Sequence, residues 1–143
     1  MSTNTPSATE KAINMVYDMP ELKSCPIEAT FKLIGKRWAA LVLRELFRGE
    51  KQFNRFRDNI HGVTAKMLTL RLRDLEKEKL ITRKIVSGYP IRVEYELTDR
   101  GRALAPILFQ AAAFSMTQLP RTVFKDGLAR DARDLLQNAR KHS

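Results

Sequence analysis

Between residues 63 and 97 the hydrophobic pattern changes period once, and that single change restricts the fold more than any other feature of the chain. In "VTAKMLTLRLRDLEKEKL", residues 63–80, Leu68, Leu72 and Leu75 share one face of a helix. Lys66, Arg73 and Lys77 fall roughly opposite, with Leu70 standing among those cations. After Leu80 the period drops to two. "IRVEYELT" alternates strictly, with Ile91, Val93, Tyr95 and Leu97 on one side and Arg92, Glu94 and Glu96 on the other, the mark of a half-buried strand. "ITRKIV" ahead of it is rich in β-branched residues, and "SGYP" between the two is a turn.

The segment upstream completes a motif. Phe53, Phe56 and Ile60 in "FNRFRDNI" are spaced for one face of a two-turn helix, and "HGV" turns the chain. Thr64 can then cap the basic helix, because a threonine hydroxyl accepts from the free amides of a first turn. Two short helices about a tight turn, the second richly basic, form a helix-turn-helix. Followed by a hairpin, they make a winged helix-turn-helix with "SGYPIR" as the wing. The expected class is therefore mainly α with a small β-hairpin.

Before this unit, "MSTNTPSATE" reads as a loose polar leader and "KAINMVYDM" as a short helix ended by Pro20. In "CPIEATFKLIG", Pro26 suits the first helical position, so Cys25 is the N-cap, and Gly35 is a stop. "KRWAALVLRELFRGE" is expected to be helical up to Gly49, with Trp38 in the core. At the far end, Thr98 is read as capping a long last helix whose apolar residues nearly encircle it: Leu104, Ile107, Leu108, Phe109, Ala111, Ala113 and Met116. A helix apolar all round is covered on more than one side. In a chain this small the second cover comes from another subunit, so a homodimer joined through terminal helices is expected. Beyond Pro120, Leu128, Ala132, Leu135, Leu136 and Ala139 suggest a further amphipathic helix with a basic outer face. The expected division is residues 1–24 as leader and short helix, 25–120 as the winged domain with its dimerisation helix, and 121–143 as a basic extension.

Charge points to the partner. Lysine and arginine number 26 against 16 acidic residues, a net +10, which attracts polyanions and nucleic acid first of all. The lone Cys25 leaves no intrachain disulfide, which fits a reducing cytoplasm. The uncharged run from Ala103 to Pro120 contains Pro106 and several polar residues, so it is read as an interface helix and no membrane partner is expected. With two distant histidines and one cysteine there is no metal-binding spacing, and no nucleophile-base pair or phosphate-cradling glycine loop is visible. Neither an enzyme nor a cofactor is expected.

Taken in order, "CPIEATFKLIGKRW", "LVLRELFRGEKQFNRFR", "TAKMLTLRLRDLEKEKLI" and "RVEYELTDRG" resemble the HxlR family of winged-helix transcription regulators, relatives of the MarR group. The resemblance runs from Cys25 to about residue 115. It implies a cytoplasmic homodimer that reads inverted repeats in double-stranded DNA. Some members sense electrophiles or oxidants through a cysteine ahead of the first core helix, a place that Cys25 matches. Three departures stand out. Lys36-Arg37-Trp38 replaces the common Gly-Lys-Trp, Leu70 replaces a frequent glutamine, and the segment past Pro120 is longer than in many members.

These patterns nominate specific residues. On the basic helix, Thr64, Lys66, Thr69, Leu70 and Arg73 are candidates for the major groove. Lys66 or Arg73 can bond guanine O6 and N7, and Leu70 can pack on a thymine methyl. The plain alternative for Leu70 is a scattered surface leucine. Gln52, Asn54 and Arg55 begin the preceding helix, where phosphate contacts are usual. Tyr89 and Arg92 mark the wing, with a minor-groove contact for Arg92 set against an ion pair to Glu94. Cys25 is either a reactive thiol, favoured by the helix start and by Lys23, or an inert cap. The expected function is a sequence-specific DNA-binding regulator, a repressor with an oxidant or small-molecule effector. A protein-interaction module and a nonspecific architectural DNA binder are the alternatives.

Overall fold

The computed structural model describes residues 4–143. It divides into two compact units, one ending at Lys36 and the other running from Arg37 to Ser143. The first holds α1 (Ala8–Tyr17) and α2 (Pro26–Ile34). α1 begins inside the stretch read as a loose leader. Ser7 Oγ accepts from the Glu10 amide at 3.2 Å while Glu10 accepts from the Ser7 amide at 2.7 Å. This reciprocal cap satisfies two amides that would otherwise lack partners. α2 starts as expected, with Cys25 at the N-cap, Pro26 in the first turn and Gly35 at the C-cap.

The second unit is built around α3 (Ala39–Phe47), which packs against α4 (Phe53–Asn59), α5 (Ala65–Lys77), β2 (Arg92–Leu97) and α7 (Ala105–Gln118). Its Val42 and Leu43 meet Phe56 and Ile60 of the α4 region, Leu68, Leu72 and Leu75 of α5, and Leu80 and Ile81 in one core. Burying each such side chain contributes about 1.5–3 kcal/mol, which is why the apolar stripe of α5 fixes that helix's roll. β1 (Ile81–Val86) pairs antiparallel with β2, Ile81 opposite Leu97 and Val86 opposite Arg92. The Tyr95 amide also donates to the Lys51 carbonyl at 2.8 Å, so the chain entering α4 is stitched to the hairpin.

Two expectations give way here. The helix containing Trp38 starts only at Ala39. Trp38 adopts φ 77°, a left-handed conformation rare for a bulky residue, and is half-buried. Its ring lies under the Arg37 guanidinium at 4.6 Å, and a Cβ on Gly62 would approach it to 3.5 Å. Similarly, Thr98 caps only the one-turn α6 (Asp99–Arg102), and the long helix begins anew at Ala105. Pro106 explains the break: it lacks an amide hydrogen and its ring would collide with the carbonyl four residues back. Beyond α7 come α8 (Pro120–Val123) and α9 (Arg133–Lys141); α9 holds Leu135, Leu136 and Ala139 of the expected C-terminal helix, while Ala132 is only its N-cap and Leu128 lies ahead of it. No described helix is long and apolar enough to cross a membrane.

Candidate nucleic-acid interface

α5 is held so that its outer face stays open. Thr64 Oγ1 accepts from the Met67 amide at 3.2 Å and fixes where the helix starts. Glu78 ends it, and the next residue, Lys79, takes φ 60°. There the Lys79 amide donates to Glu76 and the Leu80 amide to Leu75, both at 2.9 Å, closing the last carbonyls. Arg71 holds the helix in place: its Nε donates to the Arg37 carbonyl at 3.0 Å and its guanidinium pairs with Asp74.

Behind this stands a buried carboxylate that periodicity alone did not flag. Glu45 on α3 is fully out of solvent, accepting from Arg44 Nε at 2.9 Å and from Asn59 Nδ2 at 2.9 Å, with Arg48 at 3.5 Å. Burial works to raise its pKa. The bonds from Asn59 and Arg44 and the charges of Arg44 and Arg48 outweigh it and hold the carboxyl below the usual glutamate value. Glu45 thereby ties α3 to the end of α4. The signal available was its place between Val42 and Leu46 on an apolar face.

On this frame the nominated residues fall as follows. Lys66, Leu70 and Arg73 are exposed on the outer side of α5, Leu70 at 39%. Lys66 and Arg73 make no ion pair or side-chain hydrogen bond with the described residues. Thr69 is half-buried and donates its hydroxyl to the Ala65 carbonyl at 2.8 Å, and Thr64 is committed to its cap. Asn54 is exposed, Gln52 is the half-buried N-cap of α4, and Arg55 pairs with Glu50 at 3.5 Å. Tyr89 is fully exposed in the hairpin turn. Arg92 is exposed opposite Val86 and makes no ion pair with Glu94, whose cross-strand neighbour is Lys84.

Cys25 belongs to the first unit. Its sulfur lies 3.1 Å from the Tyr17 hydroxyl. That bond, then the amides of Glu28 and Ile27 at the start of α2, pull the thiol below its ordinary pKa against partial burial and the Glu28 charge. The same contact pushes the Tyr17 phenol up. The contact partner is thus Tyr17, a residue that no linear spacing paired with Cys25. No group of three described His, Cys, Asp or Glu side chains is placed to hold a metal ion.

Comparison with known proteins agrees with this geometry. The chain is 38% identical over 98 residues to the HTH-type transcriptional regulator YdeP of Bacillus subtilis, covering 68% of this chain and 77% of that one. Among solved structures, reduced YodB from B. subtilis superposes with TM-score 0.59 at 34% identity, covering 64% of this chain and 91% of that chain. The redox regulator HypR in its oxidised form gives TM-score 0.61 at 38% identity, covering 64% and 94%. The family model described as HxlR-like helix-turn-helix matches residues 33–123, well over half of the sequence. The chain belongs to the HxlR-like helix-turn-helix family of transcriptional regulators.

Proposed function

We propose that a homodimer of this chain binds an inverted-repeat operator in double-stranded DNA and represses transcription in the cytoplasm. α5 of each subunit enters one of two major grooves a helical turn apart, with the wings flanking them. Lys66 and Arg73 bond guanine edges or phosphate, Leu70 packs on a thymine methyl, and Arg92 reaches the adjacent minor groove beside Tyr89. Asn54 and Arg55 meet phosphate near the Gln52 cap, while Thr64 and Thr69 act mainly by holding α5 in shape. The observation that carries this reading is the split of α5, with three leucines buried and two cations and a leucine left open without a partner.

The second subunit is inferred from α7. It holds no charged residue, no residue of it is buried, and Phe114 is 60% exposed. Cys25 is the proposed point where an oxidant or electrophile acts, its thiolate favoured by Tyr17 and the helix start. A footprint over the gene's own upstream region tests the whole reading. A protected palindrome at physiological salt, weakened by Lys66→Ala, is the expected result, and its absence defeats the proposal.

A further inference from the structure

The nominated residues leave out Arg83, which the hairpin places unusually. In β1 it stands opposite Tyr95, on the same side of the strand as the buried Ile81. Thr82 and Lys84 point the other way. Arg83 therefore leaves the inner side of the wing, and with Arg73 and Thr69 of α5 it lines a cleft of about 360 Å³. Phe53 and Tyr95 supply apolar walls, and Glu76 is the one acidic residue in the lining. Neither arginine pairs with Glu76 or with any other described residue. Two guanidinium groups thus share a recess with their donors unspent, and the Thr69 hydroxyl, already donating to Ala65, offers the recess no hydrogen.

We propose that this cleft seats one backbone phosphate of the DNA, held by Arg73 from the helix and by Arg83 from the wing. The inference rests on the DNA-binding reading above and adds a residue and a role to it. If α5 occupies a major groove and the hairpin tip approaches the neighbouring minor groove, the sugar-phosphate strand dividing those grooves passes between them. A phosphodiester there meets two planar forks whose N–H geometry matches its oxygens, with charge-assisted bonds stronger than neutral ones. Arg83 would be a positioning residue. It sets the register of helix and wing along the strand without reading a base.

Salt titration of binding tests this, using the full chain with a selected duplex and a random duplex of equal length. Each phosphate contact contributes about 0.9 to the slope of log affinity against log salt, so emptying the seat in both subunits, by Arg73→Ala with Arg83→Ala, should flatten the slope by roughly two, and Arg83→Ala alone should flatten it by part of that. Affinity for both duplexes should fall by the same factor, about tenfold, since no base contact is lost. Arg83→Lys should restore most of the slope. Arg73→Ala combined with Arg83→Ala should cost less than the product of the two, because both grip one phosphate. If Arg83→Ala lowers the melting temperature, Arg83→Gln, which keeps the stem, carries the measurement. An unchanged slope overturns the proposal, as does a loss confined to the selected duplex. Wild-type protein with equal affinity for both duplexes defeats the operator reading and leaves the phosphate seat standing. Wild-type protein that binds neither defeats both.

Discussion

α5 and α7 are of nearly equal length and lie in the same unit, yet they are finished to different degrees. α5 has an apolar stripe that its own chain covers completely, and a polar remainder. α7 has no charged residue and no buried one. The contrast teaches that apolar content does not say where burial happens. Periodicity does: three leucines at helical spacing find a core within one chain, whereas a helix apolar on all sides has more surface than one chain can cover.

The comparison can be broken most directly by truncating one residue on each helix. Leu72→Ala should lower the unfolding free energy by about 3 kcal/mol, the cost of a core cavity. Phe114→Ala, measured by denaturant titration where the chain is monomeric, should cost less than about 1 kcal/mol. Sedimentation should instead show the second variant shifted from dimer to monomer. Equal stability losses, with no change in assembly, would erase the distinction drawn between the helices.

A smaller effect sharpens the account of what supports the covered side. Glu45→Gln should cost about 2 kcal/mol at neutral pH, because Arg44 and Asn59 lose a charged acceptor away from solvent. The pH dependence has a definite sign. The folded carboxyl lies below its unfolded value of about 4.3, so its contribution is complete above that value and is lost as pH falls through the folded pKa. Acid titration of stability should therefore be shallower in Glu45→Gln, and coincident acid limbs would remove Glu45 from the brace.

The smallest effect concerns the end of α5. Lys79 holds φ 60°, a conformation that strains a residue carrying a Cβ. Lys79→Gly should raise the melting free energy by about 0.5–1 kcal/mol, with the closing bonds from Lys79 and Leu80 retained. A destabilised variant would mean that the lysine side chain contributes more than its backbone costs.

Legibility in the sequence followed the range of the interactions involved. α2, α4, α5 and the two strands were readable because caps, turns and periodic apolar residues lie within a few positions of one another. β1 and the Thr64 cap fell where the pattern placed them. Where local signals compete, the linear pattern misplaces an element. Thr98 is a true cap, but Pro106 limits its helix to the single turn of α6. Ser7 and Glu10 form a capping box inside a stretch whose composition suggested a leader. At the candidate interface, the exposed face of α5 was legible from Lys66, Leu70 and Arg73. Arg83 was not, because β-branching marks its strand without giving its side, which follows from the register with Tyr95. Tyr17 against Cys25 and Asn59 against Glu45 are tertiary pairings with no linear trace.

Gly101 lies so close to the Leu80 carbonyl that a Cβ built there would stand 2.1 Å from the oxygen. The Thr98 amide donates to the same carbonyl at 3.0 Å, and its hydroxyl donates to Lys79 at 2.7 Å. The exit of α5 and the start of α6 are thus welded, with no clearance for even a methyl group. A tilt imposed on α7 finds no slack at this joint. It is either absorbed at residues 103–104, where the helix is broken, or handed on to α5, the helix proposed to enter the DNA groove.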